Sequence, residues 1–224
     1  MNLNKKRRLM MALTALIALS AGCSVLSPQE DRTRYFVLTP TSQSSSAAAE
    51  PSVAGHELSI GLGPITLPRY LQRPEVITRL NDTEFSVADH DRWGEPLDAS
   101  VSRVLTQDLS SDLPNSQIVQ FPWSKKIALD YRISVDFSRL ERAADGKTMV
   151  QALWTIRTGK DNQLVQKATT TAIGNAGNDQ NSASAALSQG IGQVSREIAN
   201  SVEMRQNTQR QARSATQRSV QDVF

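Results

Sequence analysis

Proton-transfer chemistry needs titratable side chains held close together, and the sequence offers one such cluster, Asp89-His90-Asp91. It falls in a polar stretch, Asp89–Pro96, where Asp and His are ordinary loop residues, so loop is the better reading. His56 and His90 are the only histidines, and neither has a second His or Cys at metal-ligand spacing. A serine nucleophile of the hydrolase type needs a Gly-x-Ser-x-Gly elbow, and a nucleotide phosphate needs a glycine loop between strand and helix. Neither occurs. Gly190-Ile191-Gly192 lies inside a helical stripe with no strand before it. The census points away from an enzyme, a bound cofactor and a resident metal.

The remaining reactive group is the thiol of Cys23, the only cysteine. Lys5-Lys6-Arg7-Arg8 forms a positive region, and Leu9–Leu19 is apolar. As a helix that apolar run would span roughly 16 Å, about half a bilayer core, which fits an export signal and not a membrane span. It ends in Leu19-Ser20-Ala21-Gly22-Cys23, small residues before a cysteine, which resembles the lipobox of bacterial lipoproteins. There the cysteine is diacylated, the signal is cut before it, and the new amine is acylated. Each buried methylene contributes about 0.8 kcal/mol, so two or more acyl chains hold a protein stably on a membrane. Ser24, in place of Asp, matches the sorting pattern for the outer membrane. With one cysteine, no internal disulfide can form in an oxidising compartment.

The charge balance agrees with export. The chain carries 25 basic and 22 acidic residues, but four of the basic ones lie in the signal. Without them 21 basic face 22 acidic, and no concentrated basic face for nucleic acid remains.

Residues 1–22 are therefore expected to be a signal peptide, 23–34 a lipidated tether, and 35–204 one α+β domain. That domain should hold a largely antiparallel or mixed sheet with two main amphipathic helices packed on it. Tyr35–Leu38 reads as a first strand. A Ser/Ala-rich run within 40–55 reads as a flexible loop, and Glu57–Leu67 as the next strand. Glu75–Leu80 and Glu84–Ala88 flank the turn triplet Asn81-Asp82-Thr83 as a hairpin. Asp98 suits the N-cap of a helix carrying Leu97, Val101, Val104, Leu105 and Leu109, ending near Leu113-Pro114. Ile118–Phe121 is a short strand. Leu129, Tyr131, Ile133, Val135 and Phe137 alternate with polar residues, the strongest strand signal in the chain. Met149–Ile156 and Leu164–Ala172 extend this into a three-stranded meander expected at the centre of the sheet. Leu187, Ile191, Val194, Ile198 and Val202 then share one helical stripe despite two glycines. Residues 205–224 read as a frayed or disordered Arg/Gln-rich tail.

These elements frame one unusual stretch, Gly63–Arg79. Leu58, Ile60 and Leu62 alternate on even positions, whereas Ile65 and Leu67 are odd. A one-residue slip moves side chains to the opposite face, so a bulge or a change of strand partner is expected at Gly63. Pro68 and Pro74 then bracket Arg69-Tyr70-Leu71-Gln72-Arg73 with fixed φ at both ends. Either Tyr70 and Leu71 cap the core above solvated arginines, or the stiff loop docks a partner at small entropic cost.

Gly63-Pro64-Ile65-x-Leu67-Pro68-x-Tyr70-Leu71-x-Arg73-Pro74-x-Val76-Ile77-x-Arg79, followed by Trp93-x-Glu95-Pro96-Leu97, resembles the ABC-type transport auxiliary lipoproteins. The lipobox, Tyr35-Phe36-x-Leu38 and the Tyr131–Phe137 strand match the same layout, so the resemblance spans nearly all of the chain after Cys23. Gln72 departs from it, standing where an acid is expected. The resemblance implies a non-catalytic lipoprotein of the outer membrane, facing the periplasm. It further implies docking to an MCE-domain protein of an inner-membrane lipid-transport system, and self-association into a homo-oligomeric ring. Arg69, Tyr70, Leu71, Arg73 and Trp93 become the candidate interface residues. The alternative is an envelope scaffold or activator for a cell-wall or secretion machine.

Overall fold

A computed structural model describes residues 31–41 and 58–221. The elements are β1 (Arg34–Phe36), β2 (Leu58–Thr66), β3 (Glu75–Arg79), β4 (Phe85–Trp93), α1 (Leu97–Asp112), β5 (Ser116–Gln120), β6 (Tyr131–Ala143), β7 (Lys147–Thr158), β8 (Leu164–Asn175) and α2 (Gln180–Gln221). Arg34 onward forms one compact unit. Before it, the Thr33 N–H donates to Asp31 at 2.9 Å. The signal at 1–22, Cys23, nearly all of the tether, His56, most of the 40–55 loop and residues 222–224 lie outside the described residues.

The alternating strand β6 is the hub of a mixed eight-stranded sheet. It pairs antiparallel with β7 from Tyr131 to Arg142. Its other edge is shared in succession by β2, parallel at Tyr131–Asp136, and β3, parallel at Arg142–Ala143. The meander β6-β7-β8 is present, but β8 pairs only with β7 and forms an edge. On the other side β5 flanks β2 in parallel, and β4 and β1 continue outward from β3.

The parity break at Gly63 appears as both expected events. Leu58–Leu62 pairs with β5 on one side and β6 on the other, and the β2–β6 register shifts between Leu62 and Ile65. Gly63 has φ of 127° in a cis peptide with Pro64, a conformation side-chain-bearing residues rarely adopt. A Cβ there would also lie 2.5 Å from Phe121 Cβ. A second bulge, between Phe137 and Arg139, moves the buried side chains of β6 from odd positions to Leu140.

Both helices cover one face. α1 packs on α2 and against β2 and β5, while α2 lies along β7 and β8. The stripe Leu187, Ile191, Val194, Ile198 and Val202 is fully buried. The two helix glycines have a packing cause: a Cβ on Gly190 would stand 2.5 Å from Val150 Cγ2, and one on Gly192 would collide with Thr41. Thr41 itself is tied to α1, its N–H donating to Asp108 at 2.9 Å.

Three expectations are corrected. Asp89–Trp93 is strand, because β1 pairs with Asp91–Trp93 and Arg34 grips the Asp91 carboxylate through two hydrogen bonds of 2.8 and 2.9 Å. The N-cap of α1 is Pro96 and not Asp98, which sits in the first turn, where its negative charge still suits the helix dipole. Finally α2 continues through Gln221. After Gly192 the helix meets no Gly or Pro, and Gln, Arg and Ala are good helix formers, so no residue ends it at 205.

Candidate functional site

After β2 the chain leaves the sheet at Leu67-Pro68, makes a single 3₁₀ turn over Arg69–Leu71, and returns as β3. Leu71 N–H closes the turn on the Pro68 carbonyl at 3.0 Å. Leu71 is 2% exposed and belongs to the core. Trp93, at the end of β4, is likewise buried at 8% exposure. Both candidate interface residues therefore face inward: strand alternation aims Trp93 at the core, and the 3₁₀ turn folds Leu71 under the loop.

Tyr70 points the other way along the turn, onto a buried carboxylate. Its hydroxyl donates to Glu141 Oε2 at 2.9 Å, and Arg79 Nη2 donates to the Tyr70 oxygen at 3.2 Å. Glu141 has no exposed side-chain surface and also accepts from Arg79 Nε at 2.7 Å and Arg139 Nε at 2.8 Å. The Tyr70 ring stacks on Phe85 at 5.7 Å, and the Arg79 guanidinium lies 5.6 Å from the same ring. β3 and β4 pair Arg79 directly with Phe85, which places both on the face that meets Tyr70.

The electrostatics follow from this enclosure. Burial alone would raise the Glu141 carboxyl, but the hydrogen bonds from Arg79, Arg139 and Tyr70 outweigh it and hold the group below the ordinary glutamate range. Burial first, then the adjacent Glu141 charge, push the Tyr70 phenol above its ordinary value. The network is an ionic pin for the loop. Tyr70→Phe keeps the stacked ring and removes the phenol. It should cost about 2 kcal/mol, the range for a hydrogen bond to a charged group, read as a lower urea midpoint at unchanged m-value.

What the loop offers outward is Arg69, Gln72 and Arg73, all exposed. Gln72 donates to the Leu67 carbonyl at 3.1 Å, and Arg73 reaches Glu75 at 3.1 Å. The Arg73–Glu75 pair is solvated and contributes little, so the guanidinium is free to exchange partners. Of the five candidates, Arg69 and Arg73 are presented, Tyr70 is half-buried, and Leu71 and Trp93 hold the loop from below. Glu141, Arg139 and Phe85 support the loop without being singled out as site residues in the sequence, and Arg79 enters there only as the end of the motif. Their only signal was Arg79 closing the proline-bracketed motif, since Glu141 meets it across 62 residues.

Other chemistry does not assemble. On β4 the Asp91 carboxylate is taken by Arg34, while Asp89 and His90 are exposed. Among the described residues no group of His, Cys, Asp or Glu converges as a metal site, and no helix is long and apolar enough to cross a membrane. A cleft of about 560 Å³ between the β6–β7 end of the sheet and α2 is lined by Leu58, Tyr131, Lys160, Gln206 and Arg210 among others.

A model of the ABC-type transport auxiliary lipoprotein component family matches residues 36–199. The intermembrane transport lipoprotein PqiC of Escherichia coli K12 is 26% identical over 147 residues, 66% of this chain and 72% of PqiC. PqiC of Shigella flexneri matches to the same extent. Among solved structures, an uncharacterized protein superposes with a TM-score of 0.61 at 20% identity, over 76% of this chain and 98% of its own. A protein from Xanthomonas campestris gives 0.55 at 18% identity, over 79% and 99%. At these identities the two structures speak for the fold.

Proposed function

The chain belongs to the ABC-type transport auxiliary lipoprotein family, and from that premise we propose that it is the outer-membrane docking component of an MCE-type intermembrane lipid-transport system. Acylation of Cys23 would hold it on the inner leaflet of the outer membrane, with the domain in the periplasm. There, as a ring of identical copies, it would receive the distal end of an inner-membrane MCE protein. The family is one of transport auxiliaries and not of enzymes, and the role proposed is binding.

The observation that carries the reading is the construction of the Arg69–Arg73 loop. Two prolines, a buried leucine and an ionic pin fix its backbone before any partner arrives, while Arg69 and Arg73 stand in solvent. A preformed loop loses little entropy on docking, and arginine forms forked hydrogen bonds to carboxylates or backbone carbonyls of a partner. The loop departs from the family pattern at Gln72, whose amide holds the loop's own backbone.

A photo-crosslinking residue in place of Arg69, introduced into the full chain in its native envelope, should capture the MCE protein. Capture of cell-wall or secretion machinery instead would favour the scaffold alternative, and capture of nothing would remove the loop from the interface. Arg69→Glu with Arg73→Glu should lower the crosslinking yield of a probe placed elsewhere on the interface by tenfold or more without changing the melting temperature. Cys23→Ala should abolish both labelling by fatty acid and recovery with outer membranes.

A further inference from the structure

Between β5 and β6 one surface loop combines exposed apolar groups with cations that the fold does not pair. It leaves β2 where Phe121 N–H donates to the Leu62 carbonyl at 3.0 Å and returns where Asp130 N–H donates to the Ser59 carbonyl at 2.8 Å. In between it crosses Gly61, which strand alternation puts on the face opposite the buried Ile60 and Leu62. A Cβ on Gly61 would stand 2.7 Å from Leu129 Cδ1 and 3.0 Å from the Trp123 ring, so the loop is seated closely on the sheet. Its tip is preformed. Ile127 N–H closes a turn on the Ser124 carbonyl at 3.1 Å, which places Lys125 and Lys126 at the two central positions. Phe121 and Trp123 meet edge to face at 5.3 Å. Phe121 is 54% exposed and Ile127 40%. Neither lysine pairs with a carboxylate among the described residues. Asp130, the adjoining acid, accepts from Ser59 N–H at 2.8 Å, and Arg132 offsets its charge two residues on.

We infer that the Phe121–Ile127 loop is a contact site for the surface of an anionic lipid bilayer. Three observations select this occupant. First, aromatic rings beside lysine are the side-chain set of the membrane–water interface, where rings sit at headgroup level and lysine stems lie over apolar surface with the ammonium among phosphates. Protein interfaces also favour aromatics, but they take arginine and are depleted in lysine. Here both central positions are lysine. Second, the surroundings continue this character. On the same sheet face exposed Leu164 stands opposite Arg157, and β8 adds Lys167 and exposed Ile173, while Asp136 is taken up by the Thr66 hydroxyl at 2.6 Å. By contrast, exposed Phe85 and Val87 belong to a segment with Asp82, Glu84 and Asp89, which an anionic surface repels. Third, the chain reaches. Cys23 precedes Arg34 by eleven residues, which span at most roughly 36–40 Å. Arg34 stands roughly 30 Å from the loop at strand rise, because β1 lies beside the far end of β6. The inference rests on acylation of Cys23 only for this reach and is independent of the docking role. Its consequence is orientation: the Arg69–Arg73 loop, at the other end of β6, is held roughly 25–30 Å from the lipid contact.

The test reads tryptophan fluorescence of the acylated full chain on vesicles carrying a headgroup-nitroxide lipid, which quenches rings that touch the lipid surface. Trp93 and Trp154 are buried, at 8% and 1% exposure, so quenching reports Trp123, and Trp123→Phe should remove it. Quenching should be at least twofold stronger on phosphatidylethanolamine vesicles containing phosphatidylglycerol than on phosphatidylcholine vesicles. K125Q/K126Q should at least halve it, whereas K147Q/R196Q, of equal net charge at other exposed positions, should leave it unchanged. Wild type that floats with the vesicles without quenching overturns the inference and leaves the Cys23 anchor standing. Quenching that ignores both phosphatidylglycerol and K125Q/K126Q overturns it as well. If wild type does not float, the acylation reading fails instead. Coupling the free Cys23 thiol to a maleimide lipid then restores the tether, and the same quenching decides the loop. A photo-crosslinker at Ile127 in the native envelope should label phospholipid, and recovery of a protein in its place counts against the proposal. Should Trp123→Phe fail to fold, Ile127→Glu at its exposed position should still halve the quenching, and no change there overturns the inference equally.

Discussion

Glu141→Gln should lower the stability of the domain by about 3 kcal/mol. Removing one member of a buried ion pair typically costs about 3–5 kcal/mol, because the remaining charges lose their counter-ion away from water. Here two guanidiniums would be stranded. Their side chains keep 16% and 28% exposure, so partial hydration argues for the lower end of that range. For a domain of this size the expected fall in melting temperature is roughly 6–12 °C, at about 2–4 °C per kcal/mol. The glutamine also turns an N–H toward Arg79 or Arg139, where the carboxylate accepted from both. A loss below about 1 kcal/mol would mean that the pin does not hold the fold.

The same substitution has a defined pH signature. Because the arginine and tyrosine hydrogen bonds outweigh burial, the folded-state value of Glu141 lies below its unfolded value. Its stabilisation is then fully present above the ordinary glutamate value of about 4.3 and is lost as pH falls through the lower folded value. The stability gap between wild type and Glu141→Gln should be flat from about pH 5 to 8 and should narrow in acid. Tyr70 has the opposite sense. Its raised phenol stabilises the fold below the ordinary tyrosine value of about 10 and ceases to do so as pH climbs through the folded value. An urea-midpoint profile of wild type, Glu141→Gln and Tyr70→Phe separates the two.

The pin also explains which parts of the molecule could be read from its chain. Elements with an uninterrupted period were legible: the odd-numbered run of β6, the Val150–Ile156 face of β7 and the Leu187–Val202 stripe all bury as their spacing demands. So was the Gly63 break, since parity is a local property of the strand. The errors arose where a distant segment decides. Asp89–Trp93 has loop composition, yet β1 recruits it as strand from 57 residues away. Leu71 and Trp93 were interface candidates by motif, with Leu71 also open as a core cap, and tertiary packing covers both. Glu141 was invisible because the bulge before Arg139 re-aims the end of β6, and only the fold brings Tyr70, Arg79 and Arg139 to one carboxylate. The candidate loop was thus located by its prolines, but its inward and outward halves could not be told apart without the sheet beneath it.

The helix–sheet contact supplies the second large effect, and its sign depends on which of two magnitudes wins. In an exposed helix, replacing glycine with alanine stabilises by about 1 kcal/mol. At Gly190 the new Cβ would stand 2.5 Å from Val150 Cγ2 and 2.9 Å from Val150 Cβ. Val150 is 1% exposed and has one branched, stiff side chain in the middle of β7, so it cannot swing aside. Overpacking of this kind costs about 1–3 kcal/mol, and more for a larger side chain. Gly190→Ala should therefore destabilise by about 1 kcal/mol net, and Gly190→Leu by about 3 kcal/mol or more, with α2 lifted from β7. Val150→Ala empties the same space and carries its own cavity cost. If the steric account is right, the Gly190→Ala/Val150→Ala pair should be at least about 1 kcal/mol more stable than the sum of the single losses, since contacting sites couple. Simple additivity in that cycle, measured by urea unfolding, would mean that the glycine is there for a reason other than close approach to the sheet.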